Sequence, residues 1–350
     1  MKRNELPIPT FYDSKNAAAW SYRPDPGVLL STAEQWAKQY GLKPRSDDRA
    51  KLHLLLIDVQ KDFCLPEGSL YVGGRSGKGA IEDSDRLARF IYRNLDKINE
   101  ITTTLDTHFA YQIFSPTFWV TKDGSHPNPF RFVTADEIAG GELRPNPRVA
   151  ALYTAGNYSW LLSYVQHYCK ELEKAKKYQL YLWPYHCLLG SDGHALVPAI
   201  HEARLFHAFV RGSQTSSEVK GGSPFTENYS VLSPEVLVTH DGRSVGQRNT
   251  EFIKKLLESD AVVIAGQAAS HCVKSSIDDL LQQILTHDPK LASKVYIMTD
   301  CMSSVAVPDG KGGFVADFTD QAQQAFDRFA NAGMHLVRST DPIDSWMTIN

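Results

Sequence analysis

No stretch of the chain approaches the roughly 18 consecutive apolar residues that span a bilayer. The first residues, Met1-Lys2-Arg3-Asn4-Glu5-Leu6-Pro7, also lack the apolar run of a secretion signal. A cytoplasmic protein is expected. There is no CxxC pair, and the five cysteines, Cys64, Cys169, Cys187, Cys272 and Cys301, are scattered and odd in number. That argues against a disulfide framework and leaves reduced thiols, one of them a candidate nucleophile. Neither sign of charge is in excess, the formal net charge being −3, so nothing draws the chain to nucleic acid or to an anionic membrane. A small-molecule partner is the simpler expectation. Internal repeats and low-complexity tracts are missing as well. What remains is a chain of 350 residues, 42% hydrophobic and 22% charged, ample for a well-buried core.

Short apolar runs of strand character recur at Leu52 to Ile57, Ile101 to Leu105, Gln179 to Trp183, Leu205 to Val210, Ala261 to Ala265, Val295 to Met298 and His335 to Val337. Helical patterns lie between them at Ile81 to Ile98, Asn249 to Leu257, Cys272 to Leu285 and Thr319 to Ala332. This alternation predicts an α/β fold of three layers, a parallel sheet covered by helices on both faces. Residues 1–47 read as an N-terminal extension and 48–350 as a single domain. Residues 109–178 read as an insertion, an aromatic and Pro-rich stretch followed by a helix over Tyr158 to Tyr178 that takes in Lys177. This segment and the N-terminal extension are expected to wall the pocket and favour a homo-oligomer.

In a parallel sheet every strand ends on the same side, so residues just past those ends gather in one crevice. Asp58, Asp106, His108, His186 and the segment Ala268 to Cys272 all follow an expected strand. Cys272 opens a helix after small residues, where the positive end of the helix dipole favours thiolate and free backbone N–H groups can hold an oxyanion. A buried structural cysteine is the alternative. Asp58 is placed to act as a general base or merely to cap a loop. Lys220, in a loop rich in Gly and Ser, reads by itself as solvated.

Asp106-Thr107-His108 sets two ligand types at i and i+2, facing the same way in extended chain. His186 supplies a second imidazole. One carboxylate and two imidazoles leave coordination positions open, as in a catalytic zinc site. The segment Gly73-Gly74-Arg75-Ser76-Gly77-Lys78-Gly79 superficially suggests a phosphate loop, but the spacing is a residue short and Gly79 stands where Ser or Thr is needed.

Five segments together, Asp58-Val59-Gln60-Lys61-Asp62-Phe63, Asp106-Thr107-His108, Trp183-Pro184-Tyr185-His186-Cys187, Lys220-Gly221 with Thr226-Glu227-Asn228-Tyr229-Ser230, and Gly266 to Val273, occur in an order that resembles the isochorismatase-like cysteine hydrolases. Within that family they are most similar to nicotinamidases and related amidases. The resemblance implies a mostly parallel, six-stranded, Rossmann-like sheet. It implies a triad of Cys272 as nucleophile, Asp58 as base and Lys220 as its charged neighbour. It further implies an oxyanion hole from the N–H groups of Ala268 and Cys272, with a cis peptide between Gln267 and Ala268. Asp106, His108 and His186 would hold one divalent ion, zinc first, iron or manganese as alternatives, with no organic cofactor. Phe63, Trp183 and Tyr229 would contact a flat substrate ring. The implied activity is hydrolysis of nicotinamide to nicotinate and ammonia through a Cys thioester. The alternatives are another small amide, ureide or N-carbamoyl substrate, or a non-catalytic binding module of the same fold. Some relatives carry a further histidine after the Asp-x-His, where this chain reads Gln112-Ile113-Phe114-Ser115-Pro116.

Overall fold

The computed structural model describes residues 5–176 and 178–346. Six strands form its central sheet: β1 (Leu52–Ile57), β2 (Glu100–Asp106), β3 (Ser216–Lys220), β4 (Ala261–Gly266), β5 (Val295–Met298) and β6 (His335–Val337). Their order is β6-β5-β4-β1-β2-β3, and every pairing is parallel. Chain direction across the sheet reverses between β1 and β4, so their carboxyl ends flank the crevice where α/β folds place ligands.

Both faces of the sheet are covered, and the strand sequences show why. Leu52, Leu54 and Leu56 of β1 join one apolar cluster, whereas Leu55 and Ile57 join another on the opposite side. In β4, Ala261, Val263 and Ala265 divide from Val262 and Ile264 in the same way. Because successive side chains point to opposite faces, a strand buried on both reads as continuously apolar.

The first face carries α1 (Pro26–Tyr40), α2 (Gly79–Arg93) and, after α3 (Tyr158–Lys174), α4 (Pro198–Arg211). The second carries α5 (Thr250–Leu257), α6 (Lys274–His287) and α7 (Thr319–Asn331). Helix α1 lies within residues 1–47, where the sequence shows no clear periodicity. Its ends are well marked: Asp25 accepts from the N–H groups of Gly27 and Val28, Pro26 opens the first turn, and Gly41 closes it in the left-handed conformation. Leu29 and Ala33 of α1 are buried, and the Trp36 ring meets Phe206 of α4 at 6.2 Å.

One expected strand is a helix, and another is a strand that lies outside the central sheet. Leu205 to Val210 belongs to α4, a helix begun by Pro198 that buries Ile200, Ala203, Phe206 and Val210. That spacing of three to four residues is helical, and the short apolar window hid it. Leu180–Leu182 is a strand, but it pairs antiparallel with Arg131–Val133 outside the central sheet. The place in the sheet goes instead to β3, whose sequence Ser-Ser-Glu-Val-Lys is polar because it forms an edge.

Within 109–178, Trp119–Thr121 pairs antiparallel with Leu143–Pro145, and α3 follows. The expected helix ends at Lys174, and Lys177 lies outside the described residues. Phe118, Trp119, Leu161, Tyr164 and Tyr168 are buried in the same apolar cluster as β1.

Candidate active site

Asp58 leaves β1 fully buried in a left-handed turn, φ 47°. Thr104 of β2 holds it there, accepting from the Asp58 N–H at 2.9 Å and donating its hydroxyl to Oδ1. Asp106 closes β2. The Gln60 side chain pairs with it as another strand would, accepting from its N–H at 2.7 Å and donating to its carbonyl at 2.9 Å. Lys220 is the last residue of β3 rather than a solvated loop lysine, and it lies opposite Asp106 in the sheet register.

The buried Lys220 ammonium joins these groups. Its Nζ lies 2.9 Å from Asp58 Oδ2 and 2.9 Å from Asp106 Oδ1, and it donates to the Asn228 carbonyl at 2.8 Å and toward Cys272 Sγ at 3.7 Å. Burial would lower Lys220, but Asp106 and Asp58 hold it well above the usual lysine range. The two carboxylates part company. Burial raises Asp58 despite Lys220. Burial also acts to raise Asp106, but His108 and Lys220 outweigh it and keep that carboxyl far below its ordinary value. Of the two acids sharing one ammonium, Asp58 is therefore the one suited to accept a proton.

Cys272 sits in a π-helical turn, Ala269–Val273, that runs into α6. The expectation that the helix terminus leaves its thiol acidic does not hold in the resting site. Burial pushes the thiol well above its ordinary value, Lys220 opposes this, and Asp58 and Asp106 add to it. The Gln267–Ala268 peptide is cis, and the Ala268 N–H finds no acceptor among the described residues.

His108 Nε2 meets Asp106 Oδ2 at 2.8 Å, and His186 Nε2 lies 3.8 Å from the same oxygen. His186 Nδ1 donates to the Pro184 carbonyl at 2.7 Å, a contact that places its lone pair on Nε2. Burial lowers His186 to about 4, which keeps the ring neutral and able to ligate. Asp62 positions this turn by accepting from the Cys187 N–H at 2.7 Å. One donor atom from each of Asp106, His108 and His186 lies within 4.8 Å of the others, a set whose chemistry fits a divalent ion. His108 Nδ1 is buried without a hydrogen-bond partner among the described residues. Asp58, Asp106 and Cys272 cluster as closely, but Lys220 already contacts all three. The Phe114 ring packs 4.7 Å from His108 and 6.2 Å from His186, putting carbon against the imidazoles.

These groups open on a small cavity of about 40 Å³. Phe63, Leu70, Val72, Phe114, Trp183, Tyr229 and Val305 give it largely apolar walls, and Cys272 and Ala268 line it. All the sequence-derived site residues except the fully buried Asp58 and Lys220 reach this cavity, and those two stand directly behind Cys272 and Asp106. Sequence reasoning gave no role to Thr104, His271 or Glu227. Thr104 is one of three consecutive threonines on β2, with no signal to single it out. His271 is caged by Tyr178, Trp183, Tyr229 and Phe318. Glu227, beside Tyr229 in a quoted segment, lines the cavity and accepts from the Trp183 indole at 3.1 Å.

Comparison with known proteins finds no matching family model. Over 121 residues the chain is 28% identical to the nicotinamidase of Escherichia coli, a match covering 34% of this chain and 44% of that enzyme. Among solved structures, a nicotinamidase pyrazinamidase from Acinetobacter baumanii aligns at 17% identity with a TM-score of 0.48, covering 84% of this chain and 99% of that one. Yeast nicotinamidase bound to the inhibitor nicotinaldehyde aligns at 18% identity and TM-score 0.48, over 82% and 99%. The pyrazinamidase of Pyrococcus horikoshii in complex with zinc aligns at 15% and 0.40, over 82% and 99%.

Proposed function

We propose that this chain hydrolyses a small aromatic carboxamide to acid and ammonia through a Cys272 thioester, nicotinamide being the first candidate. The observation that carries the reading is Lys220, whose ammonium contacts Asp58, Asp106 and Cys272 at the end of an apolar cavity. The sequence likeness to the Escherichia coli nicotinamidase supports the choice of substrate. The largely apolar walls suit an aromatic ring better than a polar ureide or N-carbamoyl compound.

Asp58 takes the thiol proton of Cys272, and Lys220 stabilises the resulting thiolate. Sulfur attacks the amide carbon while the N–H groups of Ala268 and Cys272 receive the negative oxygen. Asp58 returns the proton to the departing nitrogen, which leaves as ammonia. A water then gives a proton to Asp58 and attacks the thioester, and the expelled Cys272 sulfur takes that proton back as the acid is released. Phe63, Trp183 and Tyr229 hold the ring during these steps. Asp106, His108 and His186 would bind one divalent ion, zinc first and iron or manganese as alternatives, which when bound supplies a Lewis acid to orient a ring nitrogen.

Ammonia release from nicotinamide, benzamide and a ureide, with Cys272→Ala as control, tests the reading. Turnover of nicotinamide, lost by at least about 1000-fold in the variant, is expected. Equal turnover by the variant, or none of any amide by the native chain, would overturn it. Metal analysis of chelator-free protein is expected to find about one equivalent, reduced in His186→Ala. None in the native protein, and no change in melting on adding zinc, would remove the ion from the proposal. The reading extends to a homo-oligomer, which light scattering would refute by finding a single 39.1 kDa chain. It also extends to a cytoplasmic location, which suits five cysteines that are all free.

A further inference from the structure

Asp83 takes no place in the mechanism above, yet it is a buried carboxylate, 3% exposed, on the sheet-facing side of α2. Its Oδ2 accepts from Gln267 Nε2 at 2.9 Å and from the Ser303 hydroxyl at 2.6 Å, and its Oδ1 accepts from Arg86 at 2.8 Å. The ring of contacts closes on itself, because Gln267 Oε1 accepts from the Ser303 N–H at 3.1 Å. The orientation of the Gln267 amide is therefore fixed: its NH2 must face the carboxylate and its oxygen must face a backbone donor. The Ser303 carbonyl also accepts from the Ala269 N–H at 2.8 Å, and the Gln267 N–H donates to the Ile57 carbonyl at 2.7 Å. Residues on both sides of Ala268 are thus pinned.

We infer that Asp83 is a positioning residue for the oxyanion hole, acting through Gln267 and Ser303 to aim the Ala268 N–H; this rests on the reading of Ala268 and Cys272 as the oxyanion donors. The start of α2 makes the clasp tight. A Cβ at Gly79 would lie 2.2 Å from Ser303 Oγ and 2.9 Å from Ser303 Cβ, so the helix closes on Ser303 as only glycine allows. Gly79, the last residue of the glycine-rich segment, thereby packs against the ring of contacts.

The chemistry of the ring sets the test. Asp83→Asn keeps the shape but confronts the Gln267 NH2 with a poorer acceptor or a second NH2, and Gln267→Glu sets two carboxylates together. Combining the two substitutions restores a matched set. The new amide at position 83 donates to the new carboxylate at position 267, which still accepts from the Ser303 N–H. Ser303→Ala, which removes one donor, is a milder probe should the others fold poorly. On the purified full chain, the readout is affinity for pyridine-3-carbaldehyde. In that adduct the Cys272 sulfur bonds to the carbonyl carbon, the C–O π pair moves to oxygen, and the thiol proton ends on that oxygen. Nicotinate, which stays planar, and the rate of Cys272 alkylation by iodoacetamide serve as controls.

Asp83→Asn is expected to weaken the aldehyde by about tenfold or more and to lower kcat in step, with Ser303→Ala between it and the native chain. Nicotinate affinity and alkylation rate should stay within about twofold, and the double variant should recover most of the loss. Unchanged aldehyde affinity in both Asp83→Asn and Ser303→Ala would overturn the inference. So would equal loss of aldehyde and nicotinate, a double variant no better than the singles, or a native chain that forms no adduct. A native chain that hydrolyses no amide yet shows the expected aldehyde pattern would sink the proposed activity and leave the role of Asp83 standing.

Discussion

Lys220 decides the electrostatics of the site at the scale of single residues. Two buried carboxylates and a thiol converge on it, and with the ammonium removed Asp58 and Asp106 would face each other with no cation between them. Lys220→Met is expected to abolish turnover and to cost about 3–5 kcal/mol of stability, as loss of one member of a buried charge set does. Urea denaturation checks it, and a loss under about 1 kcal/mol would show that the carboxylates find other compensation. Thr104 matters for a different reason. Its hydroxyl donates to Asp58 Oδ1, so Asp58 presents only Oδ2 to Lys220 and the thiol.

Among the elements, the seam between β1 and β4 is the critical one, since Asp58 leaves one strand and the segment running to Cys272 leaves the other. Gly266, paired with Ile57, has φ 120°, and a Cβ there would lie 2.0 Å from the Ile57 carbonyl oxygen. Gly266→Ala must therefore open the seam or shift the turn toward Ala268. It is expected to lower the melting temperature by several degrees and to reduce turnover more than about tenfold, checked by calorimetry and steady-state assay. An alanine variant with native melting and rate would show that the seam yields freely. Edge strand β3 offers the contrast. Val219 is 64% exposed there, next to the buried Lys220, and the alternation explains how a polar strand delivers a lysine to the buried site.

Over the whole molecule, the segment 109–178 acts through the chain that lines the cavity. Tyr164 donates its hydroxyl to the Phe225 carbonyl at 2.6 Å, and Tyr168 accepts from the Glu227 N–H at 3.1 Å. Phe114 of the same segment lines the cavity itself. Replacing 109–178 by a short linker is expected to abolish turnover, and an active deletion variant in the ammonia assay would show the segment to be peripheral. Stability has its own global dependence on pH. Burial lowers His53 and His207 to about 4 from an ordinary 6.5. The unfolded chain then binds protons that the folded chain refuses. The stability these rings contribute is complete above pH 6.5 and is lost as pH falls toward 4, on the order of 2 kcal/mol per ring by pH 5. Urea midpoints at pH 7.5 and 5 check the sign, and His207→Gln should flatten the slope.

The sequence by itself determined the layered α/β plan, because β1, β4 and β5 are apolar on both faces and such runs are buried only between helices. It also determined which residues meet, since strand ends in a parallel sheet share one side, and Asp58, Asp106, His108 and Cys272 could be placed there by position alone. The resemblance, rather than spacing, brought Lys220 into that set. Only the tertiary structure decided that Leu205 to Val210 is helical, that β3 is the polar edge strand and that Leu180–Leu182 pairs outside the sheet. The first was hidden because a six-residue window is too short to show the helical spacing that begins at Pro198, and the other two depend on which neighbour covers a short segment, a property no local pattern contains. The protonation states were likewise hidden. A helix terminus argued for an acidic Cys272, but burial raises the thiol despite Lys220, and burial arises from contacts between residues far apart in the chain.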